Sequence, residues 1–166
     1  MKTDQNLADA FAGESQANRK YLAYGEAAAK DGKAQVAKLF RAVAAAETIH
    51  AHAHLRALGG VKSTVENLRA AISGEKHEFE AMYPDFIATA EAEGEAVAAL
   101  SMKRAMEVEK VHHGLFTDAL AAVEAGHDLA AGAIHVCDVC GHTVIGDVPD
   151  SCPVCKAGAS RFKEVV

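Results

Sequence analysis

The stretch "AETIHAHAHL", residues 46–55, places Glu47 three positions before His50 in a segment that otherwise reads as alanine-rich helix. Positions i and i+3 are neighbours on a helix surface, so the two side chains project together. The same spacing returns 62 residues later in "EKVHH", where Glu109 precedes His112. A third pair, Glu124 with His127, has no acidic company at its height and is set aside as chance.

Apolar positions at helical spacing (Leu7, Phe11, Leu22) predict a first helix from residue 4 to about 30, with Asp4 as its candidate N-cap. "KDGK" at 30–33 reads as a turn, with Gly32 suited to a left-handed cap. A second helix runs from about 34 to 58 and stops at Gly59-Gly60. Ser63 or Thr64 caps a third, which runs to about 93 with Pro84 as a kink. Gly94 breaks the pattern, and a fourth helix follows to about 125. Four long helices with short turns inside each pair predict an antiparallel bundle. The two halves read as an internal repeat of about 62 residues.

In an antiparallel hairpin, residues equally far from the turn share a height. Glu14 and Glu47 flank the first turn, and Glu78 and Glu109 the second, each about 24 Å away at ~1.5 Å rise per residue. One layer therefore collects all four. His50 and His112 lie one helical turn beyond their glutamates, and Glu75 lies one turn from Glu78. Five carboxylates at one height repel, and each unpaired buried charge costs several kcal/mol. Two divalent or trivalent cations offset them. One Glu from each of two helices and Glu-x-x-His from each of the other two is the di-metal pattern of ferritin-like bundles. Mixed oxygen and imidazole ligation suits iron or manganese. Of the remaining histidines, His54 and His77 are candidate neighbours of the site. His52 and His113 point off the ligand face and are expected in solvent, and His127, His135 and His142 are expected to be structural or exposed.

Cys137, Cys140, Cys152 and Cys155 form two C-x-x-C pairs within the last 30 residues. In a reducing cytosol such a pattern suggests metal ligands rather than disulfides. A segment of about 30 residues with few large apolar groups requires a staple, and one tetrahedral metal supplies it. The spacing does not choose between zinc and iron, but beside a redox-capable di-metal site an iron has a purpose as an electron relay. Residues 1–133 are thus read as the bundle and 134–166 as the cysteine module. The net charge of −6 argues against nucleic acid as a partner. No apolar run of about 18 residues exists, and the N-terminus has no apolar signal region, so a cytoplasmic protein without membrane spans is expected.

The chain resembles the rubrerythrins over nearly its whole length. The motifs that carry the resemblance are "FAGESQAN" around Glu14, "AETIH", "GEKHEFEAMYP" with Glu75 and Glu78, "EKVHH", and "CDVCG…CPVCK". The resemblance implies a ferritin-like all-α four-helix bundle followed by a rubredoxin-like domain. It implies a non-haem peroxidase acting in oxidative-stress defence, with two irons in the bundle that reduce hydrogen peroxide to water. A third iron, on Cys137, Cys140, Cys152 and Cys155, would relay electrons from a donor protein such as a rubredoxin or its NADH-linked reductase. By carry-over, Glu47 and Glu109 bridge the irons, Glu14 is terminal on one, and Glu75 with His112 completes the other. His50 and Glu78 would exchange on the first iron as its redox state changes. Tyr21 and Tyr83 match tyrosines that hydrogen-bond ligand carboxylates, and a homodimer with electron transfer between chains is implied. His142 departs from the pattern, standing where many rubredoxin-like modules carry an aromatic, and Phe162 is the only aromatic of the tail.

Overall fold

A computed structural model describes all 166 residues. Helix α1 spans Lys2–Lys30, α2 Ala34–Ala57, α3 Thr64–His77, α4 Tyr83–Ala92 and α5 Ala96–Glu124. Three short strands follow: β1 Ile134–Cys137, β2 Thr143–Ile145 and β3 Phe162–Glu164. The chain divides into two compact units, Met1–Lys62 and Ser63–Val166.

The first unit is the hairpin of α1 and α2. Small residues let its rods approach: Ala28, Ala37, Ala44 and Ala51 are buried along the seam. A Cβ at Gly25 would sit 3.4 Å from the Ala37 carbonyl oxygen, so the backbones are close there. The turn needs a left-handed residue, which Gly32 supplies at φ +72°. One buried polar side chain locks the pair. The Asn18 amide donates to the Ala44 carbonyl at 2.7 Å and to Thr48 Oγ1 at 2.8 Å. Asp4 does not cap α1; the helix starts two residues earlier, and Asp4 accepts from the Met1 ammonium at 2.8 Å inside its first turn.

The second unit holds α3 to α5 and the cysteine module. Ser63, rather than Thr64, caps α3, its Oγ accepting from the Glu66 N–H while the Glu66 carboxylate accepts from the Ser63 N–H. Between α3 and α4 the rod continues as a π-helical turn, Glu78–Met82, in which the Tyr83 N–H donates to the Glu78 carbonyl five residues back. Pro84 was the expected kink. A proline removes one helical donor and crowds the carbonyl four residues earlier, and the wider turn just before it absorbs that conflict. Helix α5 then packs back along α3 and α4. In the module, β1 pairs antiparallel with β2 and β3, giving the order β2-β1-β3, and Cys137, Cys152 and Phe162 form its small core.

Replacing Asn18 with Ala should lower stability by about 1–3 kcal/mol, because it deletes two hydrogen bonds inside the hairpin. Chemical denaturation of the variant beside the parent measures this, and a change within experimental error would remove Asn18 from its role as the lock.

Candidate metal centres

Each unit carries one triad of the same composition. In the first, Glu14 from α1 meets Glu47 and His50 from α2, with ligand atoms within 4.8 Å of one another. His50 Nδ1 lies 2.9 Å from Glu47 and 3.7 Å from Glu14. In the second, Glu75 from α3 meets Glu109 and His112 from α5, again within 4.8 Å, and His112 Nδ1 lies 2.7 Å from Glu109. A lone glutamate is contributed by the first helix of each pair and a Glu-x-x-His by the second.

The second triad shows the electrostatic stress of its carboxylates. Burial, a shared proton with Glu109 and the charge of Glu109 together push Glu75 up to about 7. Glu78, adjoining this triad, is raised by burial and by Glu109, with His77 drawing it the other way. Tyr83 is raised as well, by burial and then by Glu78, Glu109 and Glu75, which places its hydroxyl among the carboxylates. Tyr21 sits differently: its ring packs against Tyr24 and Phe40 in an aromatic cluster, and no hydrogen bond joins it to Glu14.

Four thiols converge within 4.8 Å of one another in the cysteine module. The Cys137–Cys155 and Cys140–Cys152 sulfur pairs are each 3.6 Å apart. A tetrahedron of metal–sulfur bonds ~2.3 Å long has edges of about 3.8 Å, whereas a disulfide would need ~2.05 Å. The spacing fits one ion. Burial pushes Cys140 up to about 12, while at Cys152 burial is outweighed by the N–H groups of Cys155 and Val154, which bring it down to about 7. Backbone donors aimed at sulfur are what a thiolate cage requires. His142 takes the place of the missing aromatic, its ring edge-on to Phe162 with centroids 6.1 Å apart, and burial lowers its pKa. His113, expected in solvent, is instead half-buried and packs edge-on against Phe79.

The two centres of this unit touch through one ring. His112 Nε2 lies 3.1 Å from Thr143 Oγ1 and 3.3 Å from the carbonyl oxygen of Gly141, the residue after Cys140. A cavity of about 530 Å³ opens beside this contact, apolar except where Glu75, His112 and Thr143 line it. The Thr143 and Gly141 contacts could not be read from sequence, since they join residues about 30 positions apart with no motif between them.

Comparison with known proteins agrees with this geometry. The family profile described as Rubrerythrin matches residues 5–120, and that described as Rubrerythrin, rubredoxin-like domain matches 135–163. This chain belongs to the rubrerythrin family. It is 33% identical to "Rubrerythrin-2" of Clostridium acetobutylicum, over 95% of this chain and 93% of the relative. It is 35% identical to "Rubrerythrin" of Porphyromonas gingivalis, over 98% and 89% respectively. Among solved structures, "Fully reduced state of nigerythrin (all ferrous)" superposes with a TM-score of 0.60 at 32% identity, covering 98% of this chain and 86% of that one. Family membership places this rubrerythrin among the di-iron oxidoreductases of oxidative-stress defence, built from a ferritin-like bundle and a rubredoxin-like domain. Its donor sets fit two irons on carboxylates and imidazoles and one iron on four thiolates. No helix is long and apolar enough to cross a membrane.

Folded Glu75 keeps its proton to about pH 7, whereas an ordinary glutamate releases it near 4.5. Across that window the folded chain binds more protons than the unfolded one, so raising the pH removes stability. The metal-free rubrerythrin should therefore lose thermal stability between about pH 5 and pH 8, and ferrous loading should abolish the loss. Thermal unfolding by circular dichroism, with and without metal, reads both; a flat metal-free profile would contradict the proton-sharing cluster.

Proposed function

We propose that this rubrerythrin reduces hydrogen peroxide to water at an iron pair held by Glu14, Glu47, His50, Glu75, Glu78, Glu109 and His112. Electrons arrive through an iron on Cys137, Cys140, Cys152 and Cys155. The observation that carries the reading is the His112 ring, which contacts Glu109 through one nitrogen and, through the other, the carbonyl oxygen of Gly141, the residue after Cys140. A path of one imidazole and the backbone from Gly141 to Cys140 connects the carboxylate cluster to the thiolate cage, as an electron relay requires.

When bound, two ferrous ions supply one electron each, so that peroxide, two electrons and two protons yield two waters without a one-electron fragment escaping. The chain's residues prepare that exchange. Glu47 and Glu109 would hold both irons, Glu14 would hold one of them, and Glu75 with His112 would hold the other. His112 is tethered at both nitrogens and only 25% exposed. His50 contacts carboxylates through Nδ1 alone and is 55% exposed. His50 is accordingly the ligand that would be free to leave, and anionic Glu78 would take its place on an oxidised iron. Tyr83 is held protonated by burial and by the charge of Glu78, Glu109 and Glu75, which leaves it a proton to donate toward them. Reducing equivalents come from NADH through a separate donor protein, a rubredoxin or its reductase, and the working form is a cytoplasmic homodimer.

The deciding experiment reduces the iron-loaded protein anaerobically and adds peroxide while following the visible thiolate–iron absorption. That band should return in proportion to peroxide added; its failure to return rejects the peroxidase reading. A Glu78→Ala variant should lose tenfold or more in kcat, ~1.4 kcal/mol of barrier, and unchanged turnover would reject the ligand exchange.

A further inference from the structure

We propose that Lys156 tunes the thiolate cage: its ammonium, tied into the second cysteine knuckle, raises the reduction potential of the iron held there and so favours uptake of electrons from the donor. The inference rests on the reading above that Cys137, Cys140, Cys152 and Cys155 hold an iron that cycles, and it adds what sets the potential of that iron.

The two knuckles are built alike. In the first, the Gly141 N–H donates to the Cys137 carbonyl at 2.8 Å and the His142 N–H is aimed at the Cys140 sulfur. In the second, the Lys156 N–H donates to the Cys152 carbonyl at 3.0 Å and the Ala157 N–H is aimed at the Cys155 sulfur. Both turns take a left-handed residue just after the second cysteine: Gly141 stands at φ +86° and Lys156 at φ +64°. Glycine adopts that conformation freely, whereas a Cβ crowds its own backbone there. Lys156 is the one residue other than glycine at positive φ in the chain. Strain kept at one of two equivalent positions points to a use for the side chain.

Packing does not supply that use, because Lys156 is exposed. Its Nζ instead donates back to the Pro153 carbonyl oxygen at 2.8 Å, which ties the ammonium to the loop that carries Cys152 and Cys155. Residues 134–166 hold three Lys and Arg side chains. Arg161 is neutralised by Asp138 at 2.6 Å, and Lys163 reaches the Ser160 carbonyl, outside both knuckles. Lys156 has no carboxylate partner, so its charge is left to act on the sulfurs. The first knuckle has no counterpart: a Cβ at Gly141 would lie 3.7 Å from Val108 of α5, and the Gly141 carbonyl meets His112. The added cation thus stands on the solvent side of the cage and the uncharged knuckle on the side of α5.

The sign follows from charge. Four thiolates outweigh one iron in either oxidation state. Accepting one electron from the donor protein makes the cage one unit more negative, with no bond formed or broken. A fixed cation nearby stabilises the more negative ferrous state more than the ferric one, so the potential rises.

Redox titration of the full-length, iron-loaded protein, followed by its visible thiolate–iron absorption, tests this. Lys156→Gln should raise the ratio of ferric to ferrous iron at a fixed potential about threefold, the factor an exposed charge pair gives. For one electron that is a midpoint lower by about 28 mV. Lys156→Glu should fall further, and Lys156→Arg should keep the parent's value. Lys156→Gly, which relieves the backbone, should fall with Lys156→Gln, so strain and charge are read apart. The differences should shrink in about 1 M salt, where exposed charges are screened. A Gln or Gly variant at the parent's potential would overturn the tuning, as would an Arg variant displaced as far as the Gln one. A protein without any thiolate–iron band would overturn it too. If peroxide fails to restore the band while the Gln shift persists, the peroxidase reading falls and the tuning stands.

Discussion

Carboxylates held a few ångströms apart with nothing positive between them are the constraint on which the rest of this molecule depends. Helix propensity and alanine packing alone would yield two stable hairpins of no particular purpose. Converging Glu75, Glu109 and the nearby Glu78 costs enough that one carboxyl keeps its proton to about pH 7. That cost is tolerated in a fold only if something removes it, and a pair of cations does so while gaining ligands of fixed geometry. Stability of the hairpins and occupancy by metal are therefore one problem.

The constraint also explains why the two triads are alike in chemistry and unlike in freedom. Both place an imidazole against the glutamate one turn before it, at 2.9 and 2.7 Å. Only His112 has a second anchor, in Thr143 and Gly141 of the cysteine module. The module thus does two things with one contact. It lays a path from sulfur to the carboxylate cluster, and it makes one side of that cluster stiff while the other keeps room to rearrange.

Much of this was legible in the amino-acid order. Glycines at 32, 59 and 94 mark the helix ends, because each stands at positive φ where a chain must turn out of a helix. Heights counted from those turns brought Glu14 to Glu47 and set Glu78 against Glu109, where the structure seats Glu75, one turn earlier, in the triad with Glu78 adjoining it, and the C-x-x-C pairs announced their cage. What stayed hidden was tertiary. Asp4 reads as a cap until the free ammonium of Met1 is seen to claim it. His113 reads as solvated until Phe79 is placed beside it. His142 reads as a departure until Phe162 is found edge-on to its ring, in the contact an aromatic would make.

The π-helical turn at Glu78–Met82 has a consequence for the geometry around it. Along a regular helix, each residue advances about 100°, so a side chain eight positions after Glu75 would point roughly 80° away from it. The wide turn takes up one residue without advancing the rod's face, which returns Tyr83 to nearly the azimuth of Glu75. Its phenol is consequently surrounded by Glu78, Glu109 and Glu75. By the same count, deleting one residue between Glu78 and Met82 would straighten the backbone and leave the tyrosine seven positions after Glu75, still only about 20° from it, so the bulge works as a spacer that holds one extra residue while the two halves of the helix stay in step.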